Sequence, residues 1–198
     1  MPTLVYVHGF LSSPGSDKAQ ATACWVREHA SDIQFKCPKL SPYPLETQEQ
    51  LADLMAGIDD AEIGLIGSSL GGFWSIWLAE HFACRAVLIN PSVRPDRLVE
   101  RVQGVPQHNF HTAEVYNMTE AHAEQFRQAY QSRLTHPDRY WLLVQTGDET
   151  LDYREAVQRF AGCRQTVEEG GDHGFRDYES RIPAITDFLF PHRAVASR

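Results

Sequence analysis

Six short apolar runs punctuate the chain, and between them the apolar positions recur every third or fourth residue. "TLVYV" at 3–7 is β-branched and aromatic, and a glycine follows almost at once. "IQFKC" at 33–37 alternates weakly, "IGLI" at 63–66 and "AVLIN" at 86–90 are buried-type runs, and "YWLLVQT" at 140–146 is the strongest. "RQTVEE" at 164–169 is more polar and reads as an edge strand. Thr47 with Gln50 forms a capping-box pair, and Leu51, Leu54, Met55 and Ile58 then make one apolar helical face. Asp152 with Glu155 repeats that pattern, Val157, Phe160 and Ala161 continue the helix, and Gly162 suits its C-cap. After "LIGSS" at 65–69, "LGGFWSIWLAEHF" is helical. Ile182, Ile185, Phe188 and Leu189 predict a last amphipathic helix, with Pro183 tolerable in its first turn.

Strands that alternate with helices require crossover connections. The pattern therefore predicts an α/β fold: a mainly parallel sheet of about six strands with helices on both faces. Residues 92–139 exceed a simple crossover and contain "TEAHAEQFRQAY", helical from Thr119. They are expected to form a small helical cap inserted over the carboxyl edge of the sheet. The 198 residues then make one domain, 1–198, and the tail "PHRAVASR" is expected to fray.

Composition narrows the function. Lys and Arg number 18 against 26 Asp and Glu, a formal net charge of -8. That balance argues against a nucleic-acid partner, and no basic cluster points to a membrane. Cys24, Cys37, Cys84 and Cys163 are scattered without metal-like spacing and read as buried reduced thiols. The start "MPTLVYVHGF" has no basic leader and no long apolar core, so a cytoplasmic location is expected.

The chemistry centres on "LIGSSLGGF". In α/β hydrolases the nucleophile sits on a sharp strand-to-helix turn, and the positions two before and two after it must be small, giving G-x-S-x-G. Ser69 has Gly67 and Gly71 at those positions, whereas Ser68 would have Ile66 and Leu70. Ser69 is the candidate nucleophile. A serine needs a base, and the base an orienting acid. In this fold class they follow in the order acid, then His. Asp148 lies just past the strand at 140–146, with Glu149 and Asp152 as rivals, and Asp152 already has a capping role. Among nine histidines, His173 in "EGGDHGF" combines the right order with a loop after the final strand, and its neighbour Asp172 reads as a solvated charge. His108, His111, His122 and His136 fall in the cap at spacings unsuited to a metal, His29 and His81 near helix ends, and His192 in the tail. The amides of Leu70 and Phe10 are natural oxyanion donors, Gly9 lets the backbone approach, and His8 is expected to hydrogen-bond within its loop. No metal or cofactor is needed for this chemistry.

"YVHGF", "GSSLGG", "NPSVRP", "QTGDETLDYREA", "CRQTV" and "EGGDHGF" together resemble the YqiA-like esterases, the UPF0227 family, over nearly the whole chain. The resemblance implies a compact α/β-hydrolase fold lacking the first strands of larger members. It also implies esterase activity on short acyl esters, with acyl-CoA thioesters as a further class, and Ser69, Asp148 and His173 as a triad. Residues 92–139 follow the family pattern less closely. In "NPSVRP", Arg94 is open to two readings, an anionic substrate group or a salt bridge that supports the cap.

The expected function is a serine hydrolase of short- to medium-chain carboxylic esters or thioesters, with a small-molecule substrate and no nucleic-acid or membrane partner. Two alternatives stand beside it: a hydrolase-fold interaction protein with little turnover, and an acyltransferase. Substrate-binding residues and oligomeric state are not assigned by the sequence.

Overall fold

The computed structural model describes residues 1–58 and 62–193. In chain order the elements are β1 (Thr3–Val7), α1 (Asp17–His29), β2 (Gln34–Lys36), α2 (Pro44–Ala56), β3 (Ile63–Ser68), α3 (Leu70–Phe82), β4 (Arg85–Ile89) and α4 (Pro95–Val102). Then come β5 (Gln107–His108), β6 (Val115–Tyr116), α5 (Glu120–Ala129), β7 (Tyr140–Gln145), α6 (Tyr153–Arg159), β8 (Arg164–Glu168) and α7 (Ile182–Leu189). Among the described residues no helix is long and apolar enough to cross a membrane.

Six strands form one sheet in the order β2-β1-β3-β4-β7-β8, and every neighbouring pair is parallel. Both faces are covered, which is why the central strands are apolar without interruption. Successive residues go to opposite sides. Val5 and Val7 pack with α2, α3 and α6, whereas Leu4 and Tyr6 pack with α1 and α7. β8 is the edge strand its polarity predicts.

Parallel pairing also collects the loops that matter. The carboxyl ends of β1, β3, β4, β7 and β8 open on one edge of the sheet. From β1 the chain moves outward to β2, then returns to β3 on the other side of β1. The loops leaving β1 and β3 lead to helices on opposite faces, so a crevice opens between them. Ligands of open parallel sheets bind at such a reversal of strand order.

Three local expectations are corrected. α2 starts at Pro44, because a proline needs no amide partner at the first helical position. Thr47 is therefore inside the helix, donating back to the Ser41 and Tyr43 carbonyls, and Gln50 accepts from the Ser41 amide. Asp152 does cap α6, accepting from the Arg154 amide at 3.0 Å. Glu155, however, pairs with Arg97 instead of completing a capping box, and the helix closes at Phe160, before Gly162. The start of the tail is held: Arg193 pairs with Asp32 at 2.7 Å, and residues 194–198 lie outside the described residues.

The segment 92–139 contains α4, the antiparallel β5–β6 hairpin and α5; the hairpin has no signal in the periodicity. Thr119 caps α5 in a reciprocal box with His122. Arg127 of α5 bridges to Asp96 and Glu100 of α4 and to Glu120 and Glu124 on its own helix. Phe126 packs edge-on against Phe73, centroids 5.6 Å apart, which seats α5 over the first turn of α3. The hairpin is tied to the loop after β1, through the Phe110 amide to the Leu11 carbonyl at 2.8 Å and the Asn109 side chain to the Ser12 carbonyl at 3.2 Å.

Candidate active site

Ser69 sits between β3 and α3 with φ 56° and ψ -121°. That backbone is costly for any residue with a Cβ, about 1–3 kcal/mol, and persists because its surroundings over-determine it. The Ser69 amide is held by the Ile89 carbonyl at 3.0 Å, and its carbonyl accepts from the amides of Gly72 and Ser92, both at 2.9 Å. The flanking glycines are required by contact. A Cβ on Gly71 would lie 1.9 Å from the Val7 oxygen, and one on Gly67 would lie 2.3 Å from Ser75 Oγ and 2.4 Å from the Gly71 oxygen. β1 and the first turn of α3 thus approach more closely than a side chain permits. Ser68 points elsewhere: it is buried and hydrogen-bonds the Tyr6 hydroxyl beneath the sheet.

Residues far apart in sequence meet at Ser69 Oγ. His173 Nε2 lies 3.1 Å from it. His173 Nδ1 lies 3.0 and 2.9 Å from the two carboxylate oxygens of Asp148. The Asp148 side chain is only 1% exposed, against 23% for His173. Burial would raise its pKa. The hydrogen bond and charge of His173, with the amides of Leu151 and Thr150 on Oδ1, outweigh that and hold the carboxyl below its usual value. Asp148 is accordingly ionised at neutral pH. It favours the tautomer with the proton on Nδ1, which leaves the Nε2 lone pair free to accept from Ser69.

The rivals for the acid have other partners. Glu149 accepts from the backbone amide of His173 at 3.0 Å, so it anchors the loop and not the ring. Asp152 caps α6. Asp172 is no free solvated charge, since it accepts from Arg176 at 2.8 Å.

The loop after β1 supplies the rest. Its glycine lies against the serine: a Cβ on Gly9 would be 3.7 Å from Ser69 Oγ. His8 is 4% exposed, its Nδ1 donating to the Gly9 carbonyl at 2.9 Å and its Nε2 accepting from the Leu40 amide at 3.1 Å. Burial, partly opposed by the Gly9 bond, lowers the pKa of His8, so the ring is neutral. Phe10 and Leu70 line one hollow together with His8 and Gly9. Leu70 opens α3, where backbone amides have no intrahelical partner. Among the described residues no hydrogen bond occupies the amide of either Phe10 or Leu70.

Two polar residues at the site carried no signal that singled them out in sequence. Asn90, at φ 40° and 2% exposed, accepts from the Gln145 amide at 3.0 Å and donates to the carbonyls of Asp172 and His173 at 3.0 and 3.1 Å. Gln145 accepts from the amides of Asp172 and Arg176 and donates to the Arg176 carbonyl. Their one legible trait was a buried amide side chain ending an apolar strand. Arg94 forms a two-pronged pair with Asp96 at 2.9 and 2.7 Å, the salt-bridge reading of that residue. The four cysteines are free, but only Cys84 is fully buried; burial pushes the Cys37 and Cys84 thiols up to about 12, which leaves them unreactive at neutral pH.

Several solved structures share this architecture. A protein of Agrobacterium vitis S4 matches at 16% identity with a TM-score of 0.76, over 95% of this chain and 88% of that one. Alpha/beta hydrolase domain-containing protein 10 from mouse matches at 16% identity and 0.69, over 96% and 90%. Est1E from Butyrivibrio proteoclasticus, with ferulic acid bound, matches at 14% and 0.70, over 96% and 89%. The strand order, the turn at Ser69 and these likenesses define an α/β-hydrolase fold. Within it, residues 3–190 match the model of the Uncharacterised protein family (UPF0227), and the chain belongs to that family.

Proposed function

We propose that this protein is a serine hydrolase of short- to medium-chain carboxylic esters or thioesters, acyl-CoA included, and that it works in the cytoplasm on small-molecule substrates. The observation that carries the reading is the unbroken line from Ser69 Oγ through both ring nitrogens of His173 to the buried carboxylate of Asp148. A serine hydroxyl is a weak nucleophile, and that line is what activates it. Ser69 Oγ attacks the carbonyl carbon as its proton passes to His173 Nε2. The imidazolium so formed is stabilised by Asp148, which stays ionised. The tetrahedral oxyanion takes the amides of Leu70 and Phe10; losing one such donor costs about 3–4 kcal/mol of transition-state stabilisation. Nε2 then returns the proton to the departing alkoxide or thiolate, leaving an acyl-serine. Water then attacks the acyl carbon, giving its proton to Nε2, and Nε2 passes a proton to Ser69 Oγ as the acyl–Oγ bond breaks and the acid leaves. Each step uses groups of this chain and needs no cofactor.

A fluorophosphonate probe tests the reading, because it reacts with activated serines. The expected result is prompt labelling at Ser69, with steady release of p-nitrophenol from p-nitrophenyl esters. Labelling without turnover would favour the interaction-protein alternative, and acyl transfer to an added alcohol in preference to water would favour the acyltransferase.

A further inference from the structure

β4 and β7 are neighbours in the sheet, and the loops that leave them enclose, with α4, a cavity of about 140 Å³. Ser92 of the first loop, Thr150 and Leu151 of the second, and Arg97 and Arg101 of α4 are among its walls. Ligands of parallel sheets bind beyond the carboxyl ends of the strands, and this cavity lies there.

Two observations point to what the cavity takes. Ser92 is 3% exposed, yet among the described residues no hydrogen bond engages its hydroxyl. A buried hydroxyl without a partner is costly, so a group that accepts from it is favoured there. The second observation is charge. Around the cavity Arg94 pairs with Asp96, Arg97 with Glu155 and Arg154 with Asp152, whereas Arg101 forms no ion pair among the described residues. Its Nε donates to the Arg97 carbonyl at 3.3 Å, which lays the guanidinium along α4 and leaves both terminal nitrogens uncommitted. A guanidinium carries donors only, in a fork that matches the oxygens of phosphate and carboxylate.

We propose that this cavity is an oxyanion-binding site, taking a phosphate or carboxylate group on the Arg101 guanidinium and the Ser92 hydroxyl, with the Thr150 hydroxyl at its rim. The site is separate from the reacting atoms but joined to their supports. The Ser92 amide donates to the Ser69 carbonyl at 2.9 Å, and the Thr150 amide to Asp148 Oδ1 at 2.8 Å. The oxyanion comes free from solution or is carried by the ester. The site goes beyond the hydrolase reading and does not depend on it.

Equilibrium dialysis with radiolabelled inorganic phosphate, at an ionic strength held constant with chloride, tests it in the wild type, Arg101→Gln, Ser92→Ala and Ser69→Ala. The wild type should bind phosphate saturably. Arg101→Gln and Ser92→Ala should each weaken that binding about tenfold, and Ser69→Ala should leave it unchanged. Arg101 is exposed, so Arg101→Gln decides the matter if Ser92→Ala fails to fold by thermal melting. Absence of saturable binding in the wild type overturns the site, and so does undiminished binding in folded Arg101→Gln; the hydrolase reading stands in both cases. An unreactive Ser69 with no ester cleavage defeats that reading and leaves the site intact. Kinetics then separate the two sources. Phosphate that alters kcat for the neutral p-nitrophenyl butyrate identifies a free anion. Phosphate that spares this ester but competes with p-nitrophenyl hydrogen succinate identifies a group carried by the substrate.

Discussion

The two sides of the candidate site are held by different means. On the serine side the constraint is steric and local. Gly67, Gly71 and a positive φ at Ser69 place the hydroxyl within a few residues of chain, and backbone presses on backbone from β1. On the histidine side the constraint is polar and distant. The loop of His173 is suspended from Asn90, Gln145 and Glu149 by hydrogen bonds to its backbone, and Lys18 of α1 adds one to the Gly174 carbonyl at 2.8 Å. A steric constraint tolerates almost no substitution but leaves a spacing in the sequence. A polar one leaves no spacing, and its parts can be removed one at a time.

That contrast can be tested from both sides, and the largest effect belongs to the serine. Ser69→Ala should lower kcat by about 10⁶-fold. Ser68→Ala, which loses only the bond to Tyr6, should keep most activity; the reverse pattern would put the nucleophile one residue back. Next comes the acid. Asp148→Asn keeps an acceptor for the Thr150 and Leu151 amides, so the protein should fold, while kcat falls about 10⁴-fold as the imidazole loses its orienting charge. Its counterpart Asp152→Ala should leave kcat near the wild-type value and cost about 1 kcal/mol of stability, read by denaturant unfolding.

The suspended loop offers the most direct comparison. Asn90→Ala touches no reacting atom, yet it frees the carbonyls of Asp172 and His173 and the amide of Gln145. A misplacement of His173 by about 1 Å should lower kcat about 10²-fold. If kcat holds and only stability drops, the histidine loop is self-supporting and the contrast fails.

The smallest effect is a pH dependence. His8 titrates below its ordinary value in the folded chain, so near pH 6.5 the unfolded chain takes up a proton that the folded one refuses. The stability linked to His8 is complete above about pH 6.5 and declines as the pH falls below it. Melting temperatures at pH 8 and pH 5.5 should differ more for the wild type than for His8→Asn. Equal differences would mean that His8 is not held neutral by its loop.

The parts of the fold that sequence revealed are those with a short period. The four central strands β1, β3, β4 and β7 were legible as apolar runs, because burial on both faces leaves few polar positions; the edge strands β2 and β8 are partly exposed and carry only a weaker, more polar pattern. α3 was legible to the residue, since its glycines and unbroken apolar character follow directly on a strand. α1 was not singled out: its buried residues are only Ala19, Thr22 and Val26 in a largely polar helix. The β5–β6 hairpin was missed because each strand is two residues long, too short for any alternation to register.

Ser69, Asp148 and His173 were each nominated by chain order and by loops at strand ends, and the amides of Phe10 and Leu70 by their neighbours. Those nominations needed only residue type and local spacing, which the chain carries with it. That Ser69 Oγ and His173 Nε2 stand 3.1 Å apart, across 104 residues of chain, could come only from the folded molecule. Asp148 is preferred to Glu149 in sequence by its place in the turn; that these neighbours face different atoms of one histidine came only from the folded molecule. The work of Asn90 was invisible for the same reason. A hydrogen bond depends on distance and angle between groups that the sheet brings together, and no one-dimensional spacing encodes either.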